Sequence, residues 1–161
     1  SGSDFPSNAP NISGIDISGS GDASGEVEQS IDRRGLRRCV RFSNRPFEIA
    51  NVPNMVAGAS VGVIPSRDDC ATRWMLPVKL LEYLYVGIPV VAPRLPVIEH
   101  YFDNDTVSFF APADAAGLAH AILGLLSSPT LREKQRQAGW RFVRDHRWEI
   151  EREVLFEAID R

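Results

Sequence analysis

Leu76-Pro77-Val78-Lys79-Leu80-Leu81-Glu82-Tyr83-Leu84-Tyr85-Val86-Gly87-Ile88-Pro89-Val90-Val91-Ala92 is the stretch whose reading decides the fold. Its first part has proline at the opening turn, apolar residues at helical spacing and a glycine that stops it, which predicts a helix over 77–86. The run 88–92 has no polar residue, so it reads as a strand covered on both faces. Just upstream, Ser60-Val61-Gly62-Val63-Ile64 is a second buried strand, ended by Pro65. Strand, helix, strand in this order is the unit of a parallel sheet.

The alternation extends both ways. Upstream lie a weak strand over 12–18, a helix over 26–34 stopped by Gly35, a strand over 39–42 and a short helix over 53–59. Downstream lie a short helix over 97–101, a strand over 106–110, a helix over 114–126 and a helical tail over 129–160 that breaks near His146-Arg147-Trp148. The expected fold class is α/β, a Rossmann-like and mainly parallel sheet flanked by helices. A flexible Ser/Gly-rich leader is expected over 1–11 and one nucleotide-binding domain over 12–161.

Composition narrows the function. The chain has 161 residues, 43% hydrophobic and 24% charged, enough for one sizeable core. A net charge of −3 argues against a dedicated nucleic-acid binder. The arginines at 33, 34, 37, 38 and 41 read as a solvated helix end and strand. No run approaches the ~20 apolar residues of a membrane span. Cys39 and Cys70 lack zinc spacing and are too few for a disulfide scaffold, so they read as reduced, partly buried thiols of a cytoplasmic protein. His100, His120 and His146 share no spacing with other ligands, and no metal is expected.

In such sheets ligands bind beyond the carboxyl ends of the strands, at helix N-termini. Gly19 and Gly21, after the first strand, either let backbone approach a ligand or form a plain tight turn. The helix opening at Pro77 is richer. Its N-terminal amides suit a diphosphate, and Lys79 adds a full positive charge. Glu82, three residues on, suits a ribose diol. The alternative is an ordinary surface pair between Lys79 and Glu82 at i, i+3. Glu99 and His100 sit near the mouth of the same crevice. Trp140, Phe142 and Val143 are expected to pack the last helices onto the sheet.

The order Pro65-Ser66, linker, Leu-Pro-x-Lys-Leu-x-Glu-Tyr-Leu-x-x-Gly-x-Pro-Val-Val-Ala resembles the C-terminal half of retaining family-four glycosyltransferases of the GT-B fold. The likeness extends over most of the chain, through the glycine turn at 17–21, the strand at 39–42 and the helices around Trp148. It implies a donor-binding domain for a nucleotide-diphosphate sugar, with the acceptor site supplied mostly by a missing N-terminal domain. Glu82 would hold the ribose and Val78 and Lys79 the phosphates. Arg45, in the loop after Phe42, would lie near the base, with Gly19, Gly21 and Glu99 around the ligand. Helix amides and basic side chains would stabilise the leaving diphosphate without a metal.

Three departures stand out. Trp74 occupies the place, eight residues before Glu82, where many members carry an acid. Pro93-Arg94-Leu95-Pro96 replaces a Gly-Gly turn. The domain's first, central strand is not found, which would leave costly open edges. The expectation is that the leader fills the gap, that neighbouring strands pair directly, or that a second copy donates a strand in a homodimer. The chain alone is expected to be inactive, acting on glycans or lipid-linked acceptors only with its other half, through which any peripheral membrane association would come. A non-catalytic nucleotide-binding or interaction module and a GT-B nucleotide-sugar epimerase are the alternatives.

Overall fold

The computed structural model describes residues 14–19, 21–44, 56 and 58–159. They fall into two compact units, 1–55 and 56–161. In the first, β1 (Ile15–Ser18) pairs in parallel with β2 (Val40–Ser43), in the register Ile15 to Val40 and Ile17 to Phe42. Between them runs α1 (Ser24–Arg33). Gly35 ends that helix region at φ 64, a left-handed conformation that glycine takes without steric cost. The arginine cluster is solvated as expected, and two of its members are paired. Arg37 bridges Asp32 and Glu28, and Arg41 holds Asp16 at 2.6 Å across the β1–β2 ladder. That guanidinium keeps the Asp16 carboxyl below the usual carboxylate range.

The second unit carries the parallel order β3-β4-β5, with β3 at Gly62–Val63, β4 at Val90–Pro93 and β5 at Val107–Phe110. The crossover from β3 to β4 is α2 (Val78–Val86), and that from β4 to β5 is α3 (Pro96–Tyr101). Then come α4 (Ala115–Ser127), α5 (Pro129–Asp145) and α6 (Trp148–Ile159). β4 lies between the other two strands, which is why its four residues are all buried and all apolar. Its side chains alternate. Val90 and Ala92 join Leu80, Leu84, Ile98, Phe102 and Val107 in one core cluster, while Val91 joins Phe110 and Leu125 in another. Helices therefore cover both faces, and each buried leucine contributes about 1.5–3 kcal/mol.

The α2 motif packs through close approaches. A Cβ on Gly62 would meet the Tyr83 ring at 2.5 Å, one on Gly139 would meet Leu84 at 2.9 Å, and one on Gly87 would meet the Trp140 indole at 2.7 Å. Tyr83 thus lies flush on β3, and Leu84 and Gly87 seat α2 on α5. Phe142 and Val143 pack on the core as expected, with Trp140 half exposed over Gly87.

The differences from expectation are local. The strand expected over 60–64 shortens to Gly62–Val63, and Pro77 is the N-cap of α2 rather than part of its first turn. Cys39 and Cys70 are exposed, not partly buried. Cys39 closes the 3₁₀ turn after Gly35, and Cys70 sits in a loop built around Asp69, so neither faces a core. The helix expected over 53–59, the start of the strand expected from 12 and the leader all lie largely outside the described residues. Among the described residues, β1 is partnered by β2 alone and β3 by β4 alone.

Candidate functional site at the start of helix α2

Parallel pairing puts the carboxyl ends of β3, β4 and β5 on one edge of their sheet, and α2 begins after the loop that leaves β3. Pro77 sits at φ −67 and ψ 120 and cannot continue the helix backward, so α2 starts cleanly at Val78. Pro77 makes no side-chain cap on that start. The Leu80 amide reaches back to the Pro77 carbonyl at 3.0 Å, and Val78, 67% exposed, leaves the end of the helix open to solvent. An uncapped, exposed N-terminus carries partial positive charge and suits an anion.

Lys79 and Glu82 lie on one side of this helix and meet. Lys79 Nζ donates to Glu82 Oε2 at 2.8 Å, with the Glu82 side chain the less exposed of the two. This is the i, i+3 surface pair that the spacing also allowed. An exposed pair of this kind is worth about 0.2–0.5 kcal/mol, so either partner is readily released to a ligand.

The other candidates are engaged differently. The Gly19 amide donates to the Ser43 carbonyl at 3.1 Å, extending the β1–β2 ladder, and the Gly21 amide donates to Ser24 Oγ at 3.0 Å. Both N–H groups are engaged, Gly19's in the ladder and Gly21's within the turn, although a Cβ at either position would meet nothing within 4 Å. Glu99 is held by Arg94 at 2.7 Å, and the Arg94 guanidinium also lies over the Phe109 ring. Arg45 lies outside the described residues. His100 packs edge-on against Tyr101. The α2 residues and Glu99 belong to the second unit, Gly19 and Gly21 to the first.

A cavity of about 830 Å³ opens elsewhere in the second unit, by Ser60 and Pro89 at the amino ends of β3 and β4. Its cations are already employed: Arg132 caps two α4 carbonyls, Lys134 pairs with Asp105 and Arg136 with Glu133. The local pattern did not reveal one ordered loop. Asp69 accepts from the Ala71 and Thr72 amides at 3.0 and 2.9 Å, hydrogen bonds that hold its carboxyl below the usual range. An Asp three residues ahead of Thr was the available signal.

Among the described residues no helix is long and apolar enough to cross a membrane. Comparison with known proteins agrees with the fold. In fold, the chain is similar to sucrose-phosphate synthase from Thermosynechococcus elongatus, with a TM-score of 0.74, 20% identity, and coverage of 89% of this chain and 38% of that one. It is similar to Anabaena Alr3699/HepE in complex with UDP and glucose, at TM-score 0.69, 16% identity and coverage of 92% and 41%. It is also similar to the C-terminal domain of the group 1 glycosyl transferase LpcC from Francisella tularensis, at TM-score 0.65, 20% identity and coverage of 78% and 62%. A phosphatidyl-myo-inositol mannosyltransferase of Mycobacterium leprae (strain TN) is 35% identical over 107 residues, 66% of this chain. The chain spans only 24% of that relative's length. The family profile "Glycosyl transferases group 1" matches residues 10–128, from ahead of β1 to the end of α4, and the whole α2 motif lies inside it. With its parallel α/β architecture and open α2 start, the chain belongs to the group 1 glycosyl transferases and carries their C-terminal GT-B domain.

Proposed function

We propose that this chain is the donor-binding half of a retaining glycosyltransferase that moves a sugar from a nucleotide diphosphate to a glycan or lipid-linked acceptor. The observation that carries this reading is the open start of α2 with Lys79 in its first turn and Glu82 one turn on. The Val78 and Lys79 amides and the Lys79 ammonium neutralise the leaving diphosphate, which stabilises charge as it develops and assigns no role to a metal. Glu82 leaves Lys79 and accepts from the ribose diol. The pair given up is worth a few tenths of a kcal/mol, against about 1.5–3 kcal/mol for a hydrogen bond to a charged group. The retaining outcome rests on the family resemblance.

The relatives suit this reading. One neighbour is described with UDP and glucose and another as a mannosyltransferase. The acceptor domain lies outside this chain, and the chain alone transfers no sugar. Helix α6 offers that domain an exposed apolar face of Trp148, Leu155, Phe156 and Ile159. Among the described residues β1 pairs with β2 alone, so its other edge is where a filling strand would add, from the leader or from a second copy in a homodimer. Peripheral membrane association would come through the other half, and a cytoplasmic setting suits two cysteines too few for a disulfide scaffold.

One observation favours the rival interaction module: Lys79 and Glu82 satisfy each other without a ligand. Calorimetric titration with UDP, GDP and ADP separates the two. The donor reading expects one nucleotide to bind, Glu82→Ala to weaken it at least about tenfold, and EDTA to change nothing. Absence of binding by the intact chain, or equal affinity in the variant, removes the reading.

A further inference from the structure

The cavity of about 830 Å³ lies by the amino ends of β3 and β4, whereas α2 starts beyond their carboxyl ends, so the two are on opposite edges of the sheet. Arg132, Lys134 and Arg136 line it against one acid, Glu133. Their engagements are partial. Arg132 uses only Nη1, which donates to the Leu125 and Leu126 carbonyls at 2.6 and 2.7 Å. Those bonds pin a half-buried guanidinium to the end of α4, while its Nε and Nη2 have no partner among the described residues. Lys134 and Arg136 are held by Asp105 and Glu133 in pairs that are about half exposed, and pairs of that kind contribute little and open readily.

Arg132 and Arg136 are four residues apart on α5, so their side chains leave the helix on one face, one turn apart. A carboxylate, with two oxygens, is satisfied by one guanidinium fork. A phosphate monoester has three terminal oxygens and close to two negative charges at neutral pH, enough to engage both arginines. The cavity is far larger than a phosphate ion and within the range of small-molecule sites, and Pro89 and Pro129 give it apolar wall for an organic body. We infer that this cavity is a second ligand site, separate from the start of α2, which takes a soluble phosphomonoester of sugar-phosphate size and holds its phosphate through Arg132 and Arg136. The site does not depend on the donor reading, since it shares no residue with it.

The three tryptophans give three indole N–H signals in a nitrogen-15 correlation spectrum, and they stand at different places. The Trp140 ring lies 5.6 Å from the Arg136 guanidinium, whereas Trp74 lies in the segment that leads into α2. Titration with glucose 1-phosphate should move the Trp140 signal to saturation and leave Trp74 in place, with inorganic phosphate binding more weakly and acetate at equal ionic strength doing nothing. Arg132→Gln and Arg136→Gln should each weaken the ester at least about tenfold. If loss of the α4 contacts unfolds the Arg132 variant, the exposed Arg136 carries the test alone. A drift of Trp140 that never saturates, or a shift that survives Arg136→Gln, overturns the inference. So does a response of Trp74 alone, which would put the phosphate at the other edge. Arg136-dependent pelleting with vesicles of phosphatidylcholine and phosphatidic acid, with no Trp140 response to glucose 1-phosphate, overturns the assignment to a soluble ligand.

Discussion

Replacing Gly87 by alanine perturbs two things at once, and the structure separates them. Gly87 sits at φ 81, where an L-residue pays about 1–2 kcal/mol. Its new Cβ would also stand 2.7 Å from Trp140 Cζ2 and 2.9 Å from Cε2 and Nε1, an overlap that costs about 1–3 kcal/mol because the indole belongs to a packed helix. The sum is about 2–5 kcal/mol, a large share of the stability of an ordinary domain. Urea denaturation followed by circular dichroism avoids the changed tryptophan signal and gives the cost directly. In a Trp140→Ala background the overlap is gone and the backbone cost stays, so the same substitution should cost only about 1–2 kcal/mol there. A loss below about 0.5 kcal/mol, or an equal loss in both backgrounds, would refute the packing of α2 on α5 described above.

Two further outcomes follow from the same region. Burial against β3 pushes the Tyr83 phenol above its usual 10, so the folded protein holds it neutral while the unfolded chain ionises. The stability this gives is complete below pH 10 and is lost as pH rises through the folded value; Tyr83→Phe should flatten the alkaline fall of the urea midpoint, and parallel curves would contradict it. Asp114 caps α4 by accepting from the Gly117 amide at 2.9 Å, so Asp114→Ala should cost about 1 kcal/mol in the same assay, and a neutral result would deny the cap.

Much of this architecture could be read from local pattern. Gly35 and Gly87 stop helices because each must adopt a left-handed conformation, and the sequence marks such sites directly. The apolar run 88–92 announced a covered strand, and β4 is buried throughout. What stayed hidden was pairwise and distant: Tyr83 on Gly62, Leu84 on Gly139 and Trp140 on Gly87 join residues that no local periodicity links. The site was legible in the same uneven way. Spacing put Lys79 and Glu82 on one helix face, and they are there. Spacing alone did not decide whether they would pair with each other, since that depends on a few tenths of a kcal/mol. Glu99 read as facing the crevice, yet five residues earlier Arg94 supplies a partner that engages it.

Buried Ile64 and packed Leu76 pin both ends of the segment between β3 and α2 to the core, whereas most of what lies between them faces water. The intervening residues thus behave as a cassette: they can be lengthened or rewritten while the platform beneath stays put. Doubling such a connection costs only about 0.6 kcal/mol in closure entropy. Residues 65–75 can therefore be exchanged as a block while the core that anchors them on either side stays as it is.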